Sequence, residues 1–122
     1  MRILIAEDEK NLNQMLKRRL QEEYYSVDSC FDGQEALDYL SGAEYDAVVL
    51  DIMMPVLDGL AATREIRSMN RRDAASVPIL AMTANTFQDD RSKAQQCGMT
   101  GFLPKPFDVE QLYRALKEAA GK

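Results

Sequence analysis

No histidine occurs among the 122 residues. That absence removes Ser-His-Asp and Cys-His nucleophile systems, histidine zinc sites and imidazole acid–base chemistry, so any chemistry must use carboxylates, hydroxyls and lysine. Cysteine is nearly as scarce: Cys30 and Cys97 stand far apart and outside any C-x-x-C pair, which offers neither a disulfide framework nor a thiolate metal motif. With no signal-peptide pattern at Met1, the expected setting is reduced and cytoplasmic, and Cys97 beside Gly98 reads as a small buried residue. No apolar run approaches the roughly eighteen residues of a membrane span, so none is expected. Positive charge is in deficit as well. Lys plus Arg total 15 against 20 for Asp plus Glu, giving a net charge of -5 and a pI near 4.7; direct nucleic-acid binding is therefore not expected, and any DNA-binding module lies outside this chain. Repeats, low-complexity tracts and linkers are lacking too. Residues 1–122 read as one domain, able to bury roughly two thirds of its unfolded surface without a disulfide or structural metal.

Present instead are five short apolar runs alternating with helical patterns, which signals a parallel sheet covered by helices on both faces. The runs are 3–6, 27–31, 47–50, 79–82 and 102–103. The third and fourth, AVVL and ILAM, show no alternation and read as central strands; the second, SVDSC, alternates and reads as an edge strand. Leu12, Met15, Leu16 and Leu20 form an apolar stripe on a first helix. Asp32 with Glu35 caps a second helix carrying Ala36, Leu37 and Leu40 and stopping at Gly42. A third helix follows Asp58-Gly59, lined by Leu60, Thr63, Ile66 and Arg67. From Gln88 to Cys97 only Ala94 and Cys97 can anchor a fourth helix, which should be the loosest element. A last helix starts at an Asp108–Gln111 cap and buries Leu112, Ala115, Leu116 and Ala119.

In an open parallel sheet the ligand site lies outside the carboxyl ends of the strands. There the chain places Glu7-Asp8 after strand one, Asp51 after strand three, Thr83 after strand four and Lys105 after strand five. Singly each has an ordinary explanation: a solvated turn with an aspartate helix cap, a strand-ending turn, a β-branched strand terminus, an exposed loop lysine. Together they converge on one crevice. Three carboxylates there repel one another unless a cation intervenes, and oxygen ligands suit Mg²⁺, which is usually held by one or two carboxylates plus a phosphate oxygen. Lysine and threonine opposite can hold that phosphoryl group, and an aspartate can be the nucleophile that forms an acyl phosphate.

These residues make the chain resemble the phosphoacceptor receiver domain of two-component response regulators. The resemblance spans essentially residues 1–122 and rests on an ordered set: the acidic pair Glu7-Asp8, VVLDIMMPVLDG at 48–59, AMTAN at 81–85 and FLPKPF at 102–107. It implies a flavodoxin-like, doubly wound sheet of five parallel strands in the order 2-1-3-4-5 with five helices. It also implies a phosphoacceptor at Asp51, Mg²⁺ held by Glu7, Asp8, Asp51 and the backbone carbonyl of Met53, and phosphoryl contacts from Thr83 and Lys105. Thr83 and the aromatic Phe102 would be the switch residues, with Thr83 pulling on the 84–87 loop, and Lys105-Pro106 a cis bond.

The implied activity is a signalling switch: a phosphoryl group passes from a histidine kinase or histidine phosphotransfer protein to Asp51. The α4-β5-α5 surface then controls an output domain or partner outside the chain. The implied assembly is a monomer or a phosphorylation-dependent dimer. The first half is similar to receivers of winged-helix transcription factors and the second to those of hybrid sensor kinases. Met99, Thr100 and Gly101 stand where the former class carries an acidic residue before strand five. Two rivals fit less well. A haloacid-dehalogenase phosphatase would carry its aspartate nucleophile after strand one and a cap insertion, and a flavodoxin would need a Gly/Ser/Thr phosphate loop where this chain has Glu-Asp-Glu.

Overall fold

The computed structural model describes residues 1–54, 56–70, 72–83, 88–105 and 107–120. Strands and helices alternate without exception: β1 (Arg2–Ala6), α1 (Lys10–Glu22), β2 (Ser26–Cys30), α2 (Gly33–Gly42), β3 (Ala47–Asp51), α3 (Gly59–Ser68), β4 (Ile79–Thr83), α4 (Gln88–Cys97), β5 (Gly101–Pro104) and α5 (Val109–Ala120). The strands are parallel and ordered β2-β1-β3-β4-β5, the arrangement of a flavodoxin-like receiver fold.

Period-two alternation divides each strand between two cores. Leu4, Ala6, Val48, Leu50, Ile79 and Ala81 face α2, α3 and α4, while Ile3, Ile5, Val49, Leu80, Met82 and Leu103 face α1 and α5. Every residue of β3 and β4 is buried, as expected of strands covered on both sides. SVDSC is the edge strand β2; Phe31 lies beyond it and is 39% exposed, because the chain there is already turning toward α2.

The caps are chemically legible. Asp32 accepts the Glu35 N–H while the Glu35 carboxylate accepts the Phe31 N–H, and at α5 Asp108 accepts the Gln111 N–H while the Gln111 side chain accepts the Asp108 N–H. At α1 the cap is Glu9, not Asp8: the Glu9 carboxylate accepts the N–H groups of Asn11 and Leu12, leaving Asp8 clear of helix duty. The far end of α1 closes on Tyr24 at φ 68, with Tyr24 N–H donating to Gln21 O and Tyr25 N–H to Leu20 O, a left-handed closure usually given to glycine.

Helix faces depart from the sequence reading in detail. Leu12, Met15, Leu37, Leu60 and Ala115 are only partly buried, whereas Asn13 and Ala62 are fully inside. Arg67 is a tie between elements. Its Nε and Nη2 donate to Gly98 O at 2.9 and 2.7 Å, and its Nη1 to Ala74 O and Val77 O at 3.1 and 2.7 Å. The guanidinium therefore pins the turn after α4 to the end of α3.

Candidate functional site

Sheet pairing carries the polar residues to one end of the molecule. Glu7 directly follows β1, where its N–H donates to Cys30 O, and Asp51 is the last residue of β3, paired with Met82 of β4. Thr83 ends β4, and its carbonyl accepts the Lys105 N–H at 2.7 Å, which extends the β4–β5 ladder and delivers the lysine. Gly59 allows α3 to start against this floor, since a Cβ there would lie 2.4 Å from Asp51 O.

Glu7 is completely buried and Asp51 is 4% exposed. Their oxygens are bonded: Lys105 Nζ donates to Glu7 Oε1 at 2.5 Å and to Asp51 Oδ2 at 2.8 Å, Glu9 N–H to Glu7 Oε2, and Met53 N–H to Asp51 Oδ1. Burial raises the Glu7 carboxyl to about 7; bonds from Lys105 and Glu9 hold it down, and nearby Asp51 pushes it further up. Burial pulls the Lys105 ammonium down, but its bonds to Asp51 and Glu7 outweigh that and its pKa ends above the usual lysine value.

Asp8 is exposed and completes the cluster, with one carboxylate oxygen each from Glu7, Asp8 and Asp51 lying within 4.8 Å of one another. Three convergent hard oxygen donors fit a small dication such as Mg²⁺. The side chain of Met53 is 74% exposed, and only its backbone faces Asp51. Thr83 is buried one strand from Asp51. Phe102 on β5, paired with Ala81 of β4, is half-buried and lines a cleft of about 150 Å³ with Ala94, Gln95, Met99, Thr100 and Gly101. Residues 84–87 and Pro106, and with them the relay loop and the Lys105-Pro106 bond, lie outside the described residues.

One component was missed in the sequence. Asn13 is 1% exposed, and its Nδ2 donates to Glu7 O at 2.9 Å and to Cys30 O at 2.8 Å. Among the described residues its Oδ1 has no partner, a burden of about 1–3 kcal/mol for a buried acceptor. The signal was present: residue 13 falls three before Leu16 and seven before Leu20, on the buried face.

The family model of the response regulator receiver domain matches residues 3–117. Response regulator MprA of Mycobacterium avium is 39% identical over 117 residues, covering 96% of this chain and 50% of that protein. MprA of Mycolicibacterium vanbaalenii is 40% identical over 95% of this chain and 48% of its own length. The chain thus spans about half the length of these relatives. Among solved structures, the receiver domain of the sensor histidine kinase PA1611 from Pseudomonas aeruginosa has a TM-score of 0.90 at 38% identity, covering 99% of this chain and 98% of that one. Chemotaxis response regulator CheY4 of Vibrio cholerae has a TM-score of 0.91 at 30% identity, with 97% of each chain covered. With that fold and this cluster of carboxylates and lysine, the chain belongs to the response regulator receiver domain family.

Proposed function

We propose that the domain accepts a phosphoryl group on Asp51 from the phosphohistidine of a histidine kinase or histidine phosphotransfer protein and hydrolyses the resulting acyl phosphate itself. The observation that carries this reading is the convergence of a buried Asp51 with Glu7, Asp8 and Lys105 at the carboxyl ends of the strands. A carboxylate oxygen of Asp51 forms the new O–P bond as the N–P bond breaks, and the electron pair leaves on the imidazole nitrogen, which takes a proton from solvent. Lys105 exchanges part of its present pairing for a phosphoryl oxygen, and the Thr83 hydroxyl donates to another; such transfer depends mainly on positioning and electrostatics. Glu7, Asp8, Asp51 and the Met53 carbonyl would hold Mg²⁺, which would supply positive charge to offset the phosphoryl oxygens. The PA1611 receiver is described with a magnesium ion coordinated in its active-site cleft, which supports this assignment.

Because histidine is absent, the chain is the acceptor and not the phosphohistidine donor. The α4-β5-α5 face carries the altered state to an output domain or partner, and two buried free cysteines suit a reducing cytoplasm. The test is intact-protein mass spectrometry after incubation with acetyl phosphate and Mg²⁺. One added phosphoryl group is expected, blocked by EDTA and absent in Asp51→Asn. An equal mass gain in that variant would overturn the assignment.

A further inference from the structure

We infer that Asn13, on α1 and outside the carboxylate cluster, is a positioning residue for the Glu7–Asp8 arm of the metal site, an inference that rests on the functional reading above. Among the described residues the Asp8 carboxylate has no hydrogen-bond partner, yet one of its oxygens lies within 4.8 Å of those of Glu7 and Asp51. Its place is therefore a property of the backbone at Glu7 and Glu9. Pairing of β1 with β2 ends at Ala6 and Cys30. Beyond that point the Glu7 N–H still reaches Cys30 O at 3.1 Å, but β2 has no further residue to hold the Glu7 carbonyl.

Asn13 Nδ2 closes this gap. One of its hydrogens goes to Glu7 O and the other to Cys30 O, so both backbone polar groups of Glu7 are tied to the end of β2, one directly and one through the amide. Neither hydrogen is spare. The opposite assignment of the amide would set its oxygen against two carbonyls, which the geometry forbids. An aliphatic residue would fill the pocket without the orphaned Oδ1, so the donor end of the side chain is what the position requires. Without it the Glu7 carbonyl is released, the Glu7–Asp8 peptide that carries it can rotate, and the Asp8 carboxylate swings away while the Glu7 side chain stays tethered through Lys105 and Glu9.

The experiment compares the parent with Asn13→Ala and Asn13→Leu, the latter keeping the volume where the former fails to fold. Mg²⁺ affinity is read by calorimetry at low temperature, and acetyl phosphate labelling at limiting and saturating Mg²⁺. The expected result is a Mg²⁺ dissociation constant raised about tenfold, the scale of a lost supporting bond, with faster amide exchange at Asp8 and Glu9. Labelling should fall at limiting Mg²⁺ and return to within about twofold of the parent at saturation. A merely structural role would lower the melting temperature in EDTA and leave the dissociation constant unchanged; that outcome overturns the inference. If the parent itself takes no Mg²⁺, the reading of the site fails and this inference falls with it.

Discussion

The ammonium of Lys105 lies between two buried carboxylates, and removing it leaves them facing each other. In EDTA, Lys105→Ala should lose about 3 kcal/mol, the usual cost of breaking a buried pair from one side, and Mg²⁺ should recover part of that by replacing the missing charge. Asp51→Asn acts in the opposite sense. It leaves Glu7 and Lys105 as a balanced pair and removes the neighbour that pushes the Glu7 carboxyl upward, so its melting point in EDTA should exceed the parent's. At ten times its dissociation constant Mg²⁺ should stabilise the parent by about 1.4 kcal/mol, and Asp51→Asn by less. Thermal melts of the three proteins with and without Mg²⁺ measure all of this. A lower EDTA melting point for Asp51→Asn would contradict the charge argument.

A second residue-scale lever sits at the opposite end of the sheet. The Tyr45 hydroxyl donates to Asp28 Oδ2 at 2.6 Å, and Arg2 reaches the same oxygen at 3.1 Å while its guanidinium lies 4.9 Å from the Tyr45 ring centre. The tyrosine bond, ahead of Arg2, holds the Asp28 carboxyl below its ordinary value despite some burial. A depressed folded pKa contributes stability that is complete above the unfolded value of about 3.9 and is lost as pH falls through the folded value. Tyr45→Phe, which keeps the ring under Arg2, should therefore cost about 1 kcal/mol at neutral pH for this partly exposed pair. Urea titrations should show the gap closing below about pH 4; a gap that stays constant with pH would rule out the linkage.

At the scale of elements, α5 and α4 are opposites. α5 carries a reciprocal cap and buries Leu112 and Leu116 completely, whereas the described part of α4 buries only Ala94 and Cys97. Leu116→Ala should cost about 3 kcal/mol of global stability. If α4 opens on its own, its amides exchange through a local route that this loss does not accelerate. Arg67→Met should do the reverse, speeding exchange near the end of α4 by freeing the Gly98 carbonyl. Acceleration of α4 by Leu116→Ala to the same degree as α5 would show that α4 has no independent opening.

These elements also show what could be read in advance. Apolar runs long enough for one strand, separated by amphipathic stretches with Asp-x-x-Glu and Asp-x-x-Gln starts, state the alternation and much of the core directly. The strand-end positions of Glu7, Asp8, Asp51, Thr83 and Lys105 followed from the same pattern. Asn13 is not legible in this way, because a polar residue on a buried face breaks the apolar stripe that marks such a face. The acceptors of Arg67 are mainly backbone carbonyls, which no side-chain pattern in the sequence marks. Nor does spacing reveal that Lys105 bridges Glu7, 98 positions away.

For the molecule as a whole, a phosphoryl group at one end of the sheet changes a face elsewhere only by interacting differently with two arrangements of an intervening element. On the proposed function Thr83 would take that role: it ends β4 beside β3 and Asp51, and its carbonyl holds Lys105. The adjoining cleft of about 150 Å³ beside Phe102 offers room for a change of ring position against Met99 and against Ala94 of α4, a helix whose described part has few buried anchors. Formation of the beryllofluoride adduct at Asp51 should therefore slow amide exchange chiefly between residues 84 and 98 and around Phe102. Exchange in α1 from Leu12 to Leu20 should be unchanged, since that helix packs on the other core. Thr83→Ala should still take the adduct, because Asp51 and the carboxylates remain, but lose most of the protection at α4 and Phe102. The two readouts separate modification from transmission. Protection that survives intact in Thr83→Ala, or that appears on α1, would mean that the signal leaves Asp51 by another route, with α3 the alternative, since it packs against Asp51 at Gly59 and holds the turn after α4 through Arg67.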